Sequence, residues 1–176
     1  MYSGIEKDVI DEIKAWSEHA LEAPNKYFNN LPACPYARSA WKEDKVDFVF
    51  KYCAHKQDIY TAVSCFDDTK DLVIIVDFAF QEIPDDFDED LKLLNNAISQ
   101  GIFIDKDIWL MGFHPFEEAN DFIDDGSFEY QVEEPYALIF VQRLSKIQES
   151  ADKIKEKGYY DSYLDEFNAS EIYQQL

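Results

Sequence analysis

Leu72-Val-Ile-Ile-Val76 is the stretch of sequence that decides the fold. It opens a strand predicted over 72–78. An apolar run without alternating polar positions is typical of a central strand that is buried on both faces of a sheet. The run is far shorter than the roughly 20 residues that a helix needs to span a bilayer. The sequence therefore predicts a sheet with layers on both sides and no association with a membrane.

Three further strands are predicted around this run, over 46–52, 108–113 and 136–142. The segment 58–66 fits either a short helix or a strand that pairs with its neighbour. We prefer the helix for this segment.

Three helices are predicted from apolar spacing and from end signals. Ser3 and Glu6 fit a capping box that begins a helix over 4–22. Pro84 begins a second helix, whose acidic first turn suits the positive end of the helix dipole. Ser145 is expected to cap the third helix. The apolar face of the second helix carries Phe87, Leu91, Leu94 and Ile98.

Strands and helices alternate along the chain, which predicts an α/β (α+β) fold: a mixed sheet of four or five strands packed by helices. The length of 176 residues suits one globular domain over 1–176. After the N-terminal helix we expect a motif loop over 24–41, an α/β core over 46–157 and a C-terminal helical tail over 159–176. A ligand would then bind outside the carboxyl ends of the parallel strands.

The net charge is −21, from 37 acidic and 16 basic side chains. Such a surface repels phosphate backbones, so direct nucleic-acid binding is not expected. Two interpretations stay open: a highly charged, soluble surface, which is favoured, or a decoy that imitates DNA and occupies a DNA-binding protein. The start of the chain lacks the features of an export signal, and the three cysteines match no paired pattern. We therefore predict a cytoplasmic location with reduced thiols.

A cysteine between two prolines marks the main candidate site. Pro32 and Pro35 hold Cys34 on a stiff, non-helical segment. Arg38 follows four residues later, and a nearby cation favours the thiolate, so Cys34 is a candidate nucleophile or redox thiol. The alternative is a buried, inert cysteine that packs as a small hydrophobe. Tyr36, in the same segment, is a candidate binding residue.

Two residues from later in the chain are candidate partners. His114 follows a predicted strand and precedes a proline, so we expect it at the rim of the sheet as the acid–base partner of Cys34. A loop histidine bonded to the backbone is the alternative. Arg143 ends the fourth strand and, with Arg38, would orient an anionic small molecule. In so acidic a protein, each arginine could equally pair with an internal carboxylate.

Established motifs for phosphate binding, metal-dependent proteolysis or serine hydrolysis do not occur in the sequence, and the cofactor, if there is one, stays unknown. A metal ion held by Cys34 and His114 is a weaker option.

Four short motifs, in this order, resemble a bacterial family of unknown function, number 1415. They are Trp16, Cys34-Pro-Tyr-Ala-Arg38, Phe113-His-Pro115, and Pro135-Tyr136 leading to Arg143. The resemblance covers about 16–154 and implies that Cys34 belongs to a signature shared by the family. It implies no particular reaction.

The sequence departs from that family's pattern in two places. Val132 and Glu133 stand where the family has an Asn-Arg pair, and Phe140 stands where it has a histidine within a strand. A metal site built on two histidines and Cys34 is therefore not expected.

Together these patterns predict a thiol-dependent enzyme or a ligand-binding domain for an anionic small molecule, with Cys34 and His114 as its central pair. Whether the protein is an enzyme stays open. The alternative is a non-enzymatic acidic interaction protein, for example a DNA mimic that inhibits a nucleic-acid-binding protein.

Overall fold

The computed structural model describes residues 3–52, 56–64, 69–80, 83–102, 107–117, 135–159 and 161. In chain order its elements are α1 (Gly4–Trp16), β1 (Pro24–Asn25), β2 (Leu31–Pro32), α2 (Ala37–Lys42), β3 (Val46–Lys51), α3 (Lys56–Ser64), β4 (Leu72–Asp77), α4 (Pro84–Ser99), β5 (Ile108–Phe113), β6 (Ala137–Arg143) and α5 (Leu144–Lys155). A π-helical turn, Ser17–Leu21, continues α1.

A four-stranded mixed sheet, in the order β3-β4-β6-β5, lies at the centre of the fold. Strands β3 and β4 are parallel, while β6 is antiparallel to both of its neighbours. Strands β3, β4 and β5 therefore run in one direction and β6 in the other. This arrangement confirms the predicted mixed α+β architecture in a single compact domain.

Strand β4 is buried along its whole length, as its apolar run predicts. Alternate side chains point to opposite faces of the sheet. Leu72, Ile74 and Val76 face helices α1 and α2, on what we call the α1 face. Val73 and Ile75 face helices α3 and α4, on what we call the α4 face. Each fully buried Val or Ile side chain stabilises the fold by about 1.5–3 kcal/mol relative to exposure, so this strand anchors both layers.

The predicted helix signals are mostly confirmed. Ser3 and Glu6 form the capping box, with the Ser3 backbone N–H donating to Glu6 Oε2 at 2.6 Å. Pro84 occupies the first turn of α4. Helix α3 confirms the helical interpretation of 58–66 as far as residue 64.

Two local predictions differ from the structure. The motif loop over 24–41 contains the short β1–β2 pair and helix α2. Ser145 is not the N-cap of α5, because that helix begins one residue earlier, at Leu144. The Ser145 backbone N–H and hydroxyl instead donate to the Asp107 carboxylate, at 2.7 and 2.8 Å. A carboxylate from outside the helix therefore binds its first turn.

Cys53, Cys65, the segment 118–134 and most of the predicted tail over 159–176 lie outside the described residues. Within the described ranges, every helix is too short or too polar to cross a lipid bilayer.

Candidate functional site

Backbone hydrogen bonds hold Cys34 between the end of the first helix and the start of α2. The Cys34 N–H donates to the Leu21 carbonyl at 2.9 Å, and the Cys34 carbonyl accepts from the Ala37 N–H at 3.3 Å. The side chain is half-buried and packs against the α1-face cluster. The stiff presentation predicted from the flanking prolines is therefore reinforced by two helix ends.

The environment of the Cys34 thiol favours its protonated form. Burial raises the pKa of the Cys34 thiol, and the nearby Glu22 carboxylate raises it further. The backbone N–H groups of Tyr36 and Ala37, which approach the sulfur, lower the pKa by less than burial raises it. A nucleophilic cysteine needs the opposite shift, because the thiolate is the reactive form.

Arg38 binds an internal carboxylate instead of the thiol. Its Nε lies 3.4 Å from Glu22 Oε2, and its Nη2 donates to the Glu22 carbonyl at 2.9 Å. The Glu22 side chain is buried, whereas the Arg38 side chain is 59% exposed. An ion pair between Arg38 and an internal carboxylate is the alternative to anion binding that the sequence allows.

A second set of hydrogen bonds joins the same elements. Trp41 Nε1 donates to Ser17 Oγ at 2.9 Å, and Ser17 Oγ donates to Glu22 Oε1 at 3.3 Å. Helix α2 is thereby attached to the π-helical turn after α1, and the two together fix the position of Cys34.

A cavity of about 220 Å³ lies under the Cys34 segment, between helices α1, α2 and α5 and the α1 face of the sheet. Among the described residues, none that lines the cavity carries a charged side chain. The lining consists of Ile13, Trp16, Ser17, Leu21, Ala33, Cys34, Pro35, Tyr36, Ala37, Trp41, Leu72, Ile74, Met111, Phe113, Phe140, Gln142, Ile147, Ser150, Ala151, Ile154 and Tyr159.

Aromatic rings form one wall of the cavity. Trp16 and Phe113 meet edge to face with centroids 4.9 Å apart, and Phe113 meets Phe140 in the same manner at 5.2 Å. Such contacts fix ring orientation as well as burying apolar area. Phe140, which stands where the family resemblance leads us to expect a histidine, is therefore part of an apolar wall.

Tyr36 contributes its ring to the cavity and places its hydroxyl beside Asp71. Burial, and then the adjacent Asp71 carboxylate, raise the pKa of Tyr36. Lys45 Nζ lies 3.1 Å from Asp71 Oδ2 and balances its charge. The Tyr36 hydroxyl therefore stays protonated next to an ion pair.

The far end of the Cys34 segment is tied to the end of α5. The Tyr159 hydroxyl donates to the Ala33 carbonyl, and the Tyr159 ring stacks on Phe28 with centroids 4.8 Å apart. Asn29 Nδ2 donates to the Lys157 carbonyl at 2.9 Å. These contacts tie the segment before Cys34 to the residues that follow α5, beside the cavity.

His114 lies on the other side of the sheet. Its ring is buried against Phe80 and Phe87, with centroids 5.1 and 5.5 Å away, and both rings belong to the α4 face. Its Nδ1 accepts a hydrogen bond from the Phe116 N–H at 3.2 Å. The sheet separates His114 from Cys34, so the structure does not bring the two side chains to one site.

Arg143 also lies away from the cavity. It ends β6, where side-chain alternation places it on the same face as Val141, the α4 face. The structure therefore brings Cys34 and Tyr36 together at the cavity, holds Arg38 on Glu22 outside it, and places His114 and Arg143 across the sheet.

The sequence interpretation missed Gln142, a buried polar residue of the cavity floor. The signal that could have identified it is its position: it shares its side of strand β6 with the apolar Leu138 and Phe140. The cavity also lies over a face of the sheet, and not beyond the carboxyl ends of the parallel strands, where we expected a ligand.

Comparison with known proteins gives no match to a family model, to a curated protein or to a solved structure. Within the described part of the chain, no group of three His, Cys, Asp or Glu side chains is placed to hold a metal ion. The fold and the site define an α+β domain with an apolar cavity beneath a cysteine-containing segment.

Proposed function

We propose that the protein is a binding domain for a small, uncharged and largely apolar molecule, which occupies the cavity beneath Cys34. The observation that carries this proposal is the cavity of about 220 Å³ with an uncharged lining. Protein interiors are close-packed, and the apolar side chains that line this partly open cavity lack packing partners on that side. An apolar ligand recovers the lost contacts.

The size of the cavity sets the size of the ligand. An apolar cavity of about 150 Å³ is known to take up benzene. A space of about 220 Å³ therefore suits a molecule of one or two small rings. The aromatic wall of Trp16, Phe113 and Phe140 offers ring faces and ring edges against which such a molecule can pack.

The ligand charge follows from the groups around the cavity. A charged ligand would lose its hydration without gaining a counter-ion from the lining, which is unfavourable. The arginines expected to bind an anion lie elsewhere: Arg38 binds Glu22, and Arg143 is across the sheet. An uncharged ligand is therefore favoured over the anionic one suggested by the sequence.

Binding is favoured over thiol catalysis by the state of Cys34. Its raised pKa keeps the thiol protonated near neutral pH, and the sheet separates it from His114. In this proposal Cys34 is a wall residue of the cavity. A protonated, reduced thiol suits the cytoplasmic location that we continue to propose.

The direct test uses a methyl reporter at the partly exposed edge of the cavity. The chain has two methionines, and Met111 lines the cavity, so ¹³C-methyl-methionine NMR gives a simple readout. Toluene, indole and naphthalene should shift the Met111 methyl signal saturably, with dissociation constants below about 1 mM. Benzoate, the charged counterpart of toluene, should shift it far less.

Two leucine variants on α5 supply the control. Ala151→Leu adds bulk to the cavity wall and should abolish the shifts, whereas Gln148→Leu, at an exposed position of the same helix, should leave them unchanged. Failure of all three uncharged probes to move the Met111 signal would remove the support for a binding function.

A second candidate is the acidic interaction protein. Four carboxylates near the start of α4 are exposed: Asp85, Asp86, Asp88 and Glu89. The net charge of −21 would strengthen their attraction to a basic partner. Titration with a purified basic DNA-binding protein should show association that is lost at high salt and weakened by Asp88→Asn. Absence of salt-sensitive association would count against this candidate.

A further inference from the structure

Gln142 is a buried amide on the floor of the cavity. It lies on β6 between Leu72 of β4 and Trp109 of β5, with its side chain on the α1 face. Its exposed fraction is only 7%, and it lines the cavity. Among the residues that the structure describes, none hydrogen-bonds to its side-chain amide.

The Gln142 amide faces the cavity, so a molecule bound there covers it. A bound molecule that covered the amide without pairing with it would lose about 1–3 kcal/mol. A leucine or methionine at this position of β6 would match its apolar neighbours on the same face, Leu138 and Phe140. A polar group of a molecule bound in the cavity, paired with the amide, would account for a glutamine at this position.

The chemistry of the amide defines its complement. A glutamine side chain presents a carbonyl acceptor and an NH₂ donor side by side in one plane. The best partner is another planar edge with an N–H donor next to a C=O acceptor, because such a pair makes two parallel hydrogen bonds. Lactams, primary amides and the amide edges of heterocyclic bases have this arrangement.

We propose that the cavity selects a small ring compound with a lactam-type edge, which Gln142 recognises through paired N–H and C=O hydrogen bonds while the ring packs on the aromatic wall. This inference rests on the proposed binding function and specifies the class of ligand. Trp16, Phe113 and Phe140 contact the apolar ring of the ligand, and Gln142 makes the site selective for rings that carry the lactam-type edge.

The experiment compares three probes of similar size: 2-quinolone, N-methyl-2-quinolone and naphthalene. Dissociation constants would be measured by the Met111 methyl shift. The wild-type protein should bind 2-quinolone at least about tenfold more tightly than N-methyl-2-quinolone, because methylation blocks the N–H donor and a hydrogen bond of about 1.4 kcal/mol corresponds to tenfold. Naphthalene should be weaker than 2-quinolone by at least the same factor.

Gln142→Met removes the amide and keeps the approximate volume of the side chain. This variant should bind naphthalene as tightly as or more tightly than the wild type and should lose the preference for 2-quinolone. Gln148→Met, at an exposed position of α5, should retain the wild-type preference.

The outcomes separate this inference from the proposed function. Equal binding of 2-quinolone and its N-methyl derivative to the wild-type protein overturns the role of Gln142 while leaving a general apolar binding site. Failure of all three probes to bind overturns both. The wild-type comparison decides the inference even where Gln142→Met does not fold.

Discussion

The Tyr136 hydroxyl donates a hydrogen bond to Glu12 Oε1 at 2.8 Å, joining residues 124 positions apart in sequence. Tyr136 precedes β6, and Glu12 lies on α1. Both residues are buried, and the Tyr136 ring packs edge to face on Phe78 with centroids 5.8 Å apart. This contact fixes α1 over the start of β6 and so positions the helix that bears Trp16 at the cavity.

Tyr136→Phe should lower the free energy of unfolding by about 1–3 kcal/mol, because it removes the hydrogen bond and leaves a buried polar atom with fewer partners. Urea denaturation measures the effect. Tyr52→Phe is the matched control: Tyr52 is 64% exposed, and its loss of a hydroxyl should change stability by less than about 0.5 kcal/mol. Equal effects of the two variants would contradict the role of the Tyr136–Glu12 contact.

Gly112 allows α4 to approach β5 closely. A Cβ built at this position would lie 2.4 Å from both Leu91 Cδ1 and Phe87 Cε1. Both side chains are packed within the α4-face cluster, so a Cβ at Gly112 would force them to shift against their neighbours. Gly112→Ala should therefore destabilise the protein by about 1–3 kcal/mol in thermal or urea unfolding.

The control for this prediction is Gly4→Ala. A Cβ at Gly4 would meet no atom within 4 Å, and Gly4 begins helix α1, where alanine has the better helix propensity. This variant should be neutral or slightly stabilising. A neutral Gly112→Ala would show that α4 packs less closely on β5 than the structure indicates.

Asn95 completes the hydrogen bonding of the edge strand β5. Its Nδ2 donates to the Leu110 carbonyl, and its Oδ1 accepts from the Leu110 N–H, both at 2.8 Å. Asn95→Leu should cost about 2–4 kcal/mol, since two buried backbone groups lose their partner. It should also promote self-association, because edge strands with unpaired groups recruit further strands.

Asn96→Leu, at the adjacent exposed position of α4, is the control. Urea denaturation and analytical ultracentrifugation report stability and association in parallel. Unchanged values for Asn95→Leu would rule out a protective role for the side-chain amide.

The fold was largely predictable from sequence because its signals are local. The apolar run of β4 and the capping box of Ser3 each specify an element within a few residues. The N-cap prediction at Ser145 was wrong because its hydroxyl binds Asp107, which the sequence places 38 positions away. Contacts between residues so far apart in the sequence depend on how whole helices and strands pack together.

The arrangement of the site was harder to predict, because it depends on which face each helix covers. Strand alternation does place Phe113 and His114 on opposite sides, but the sequence does not reveal that the Cys34 segment packs on the Phe113 side. Gln142 was missed for a related reason: a single polar residue on a buried strand becomes informative only when the cavity above it is known.

Stability should fall at alkaline pH because of Tyr36 and Cys34. The pKa of each group is raised by burial, so the folded state holds both protons more tightly than the unfolded chain. Unfolded Cys and Tyr titrate near about 8.5 and 10, so stability should be level below about pH 8 and decline above it. Urea midpoints at pH 7.5 and 10.5 measure the decline, which Tyr36→Phe should reduce and Tyr52→Phe should not. A wild-type urea midpoint that is higher at pH 10.5 than at pH 7.5 would contradict this account.

Cys34 should react slowly with iodoacetamide, since alkylation requires the thiolate and burial raises the pKa of this thiol. Both chains in the measurement carry Cys53→Ser and Cys65→Ser. In the first chain Cys34 is then the sole thiol. In the control chain Cys34→Ser removes that thiol, and Ser99→Cys places the sole thiol at an exposed position of α4. At pH 7.5 the Cys34 rate should be lower than the control rate, because a raised pKa leaves less of the thiol in the thiolate form. Its pH–rate midpoint should lie above that of the control. Naphthalene in the cavity should slow Cys34 further and leave the Ser99→Cys rate unchanged. A Cys34 rate above that of the control, with a lower midpoint, would restore the nucleophile that the proline-flanked motif first predicted.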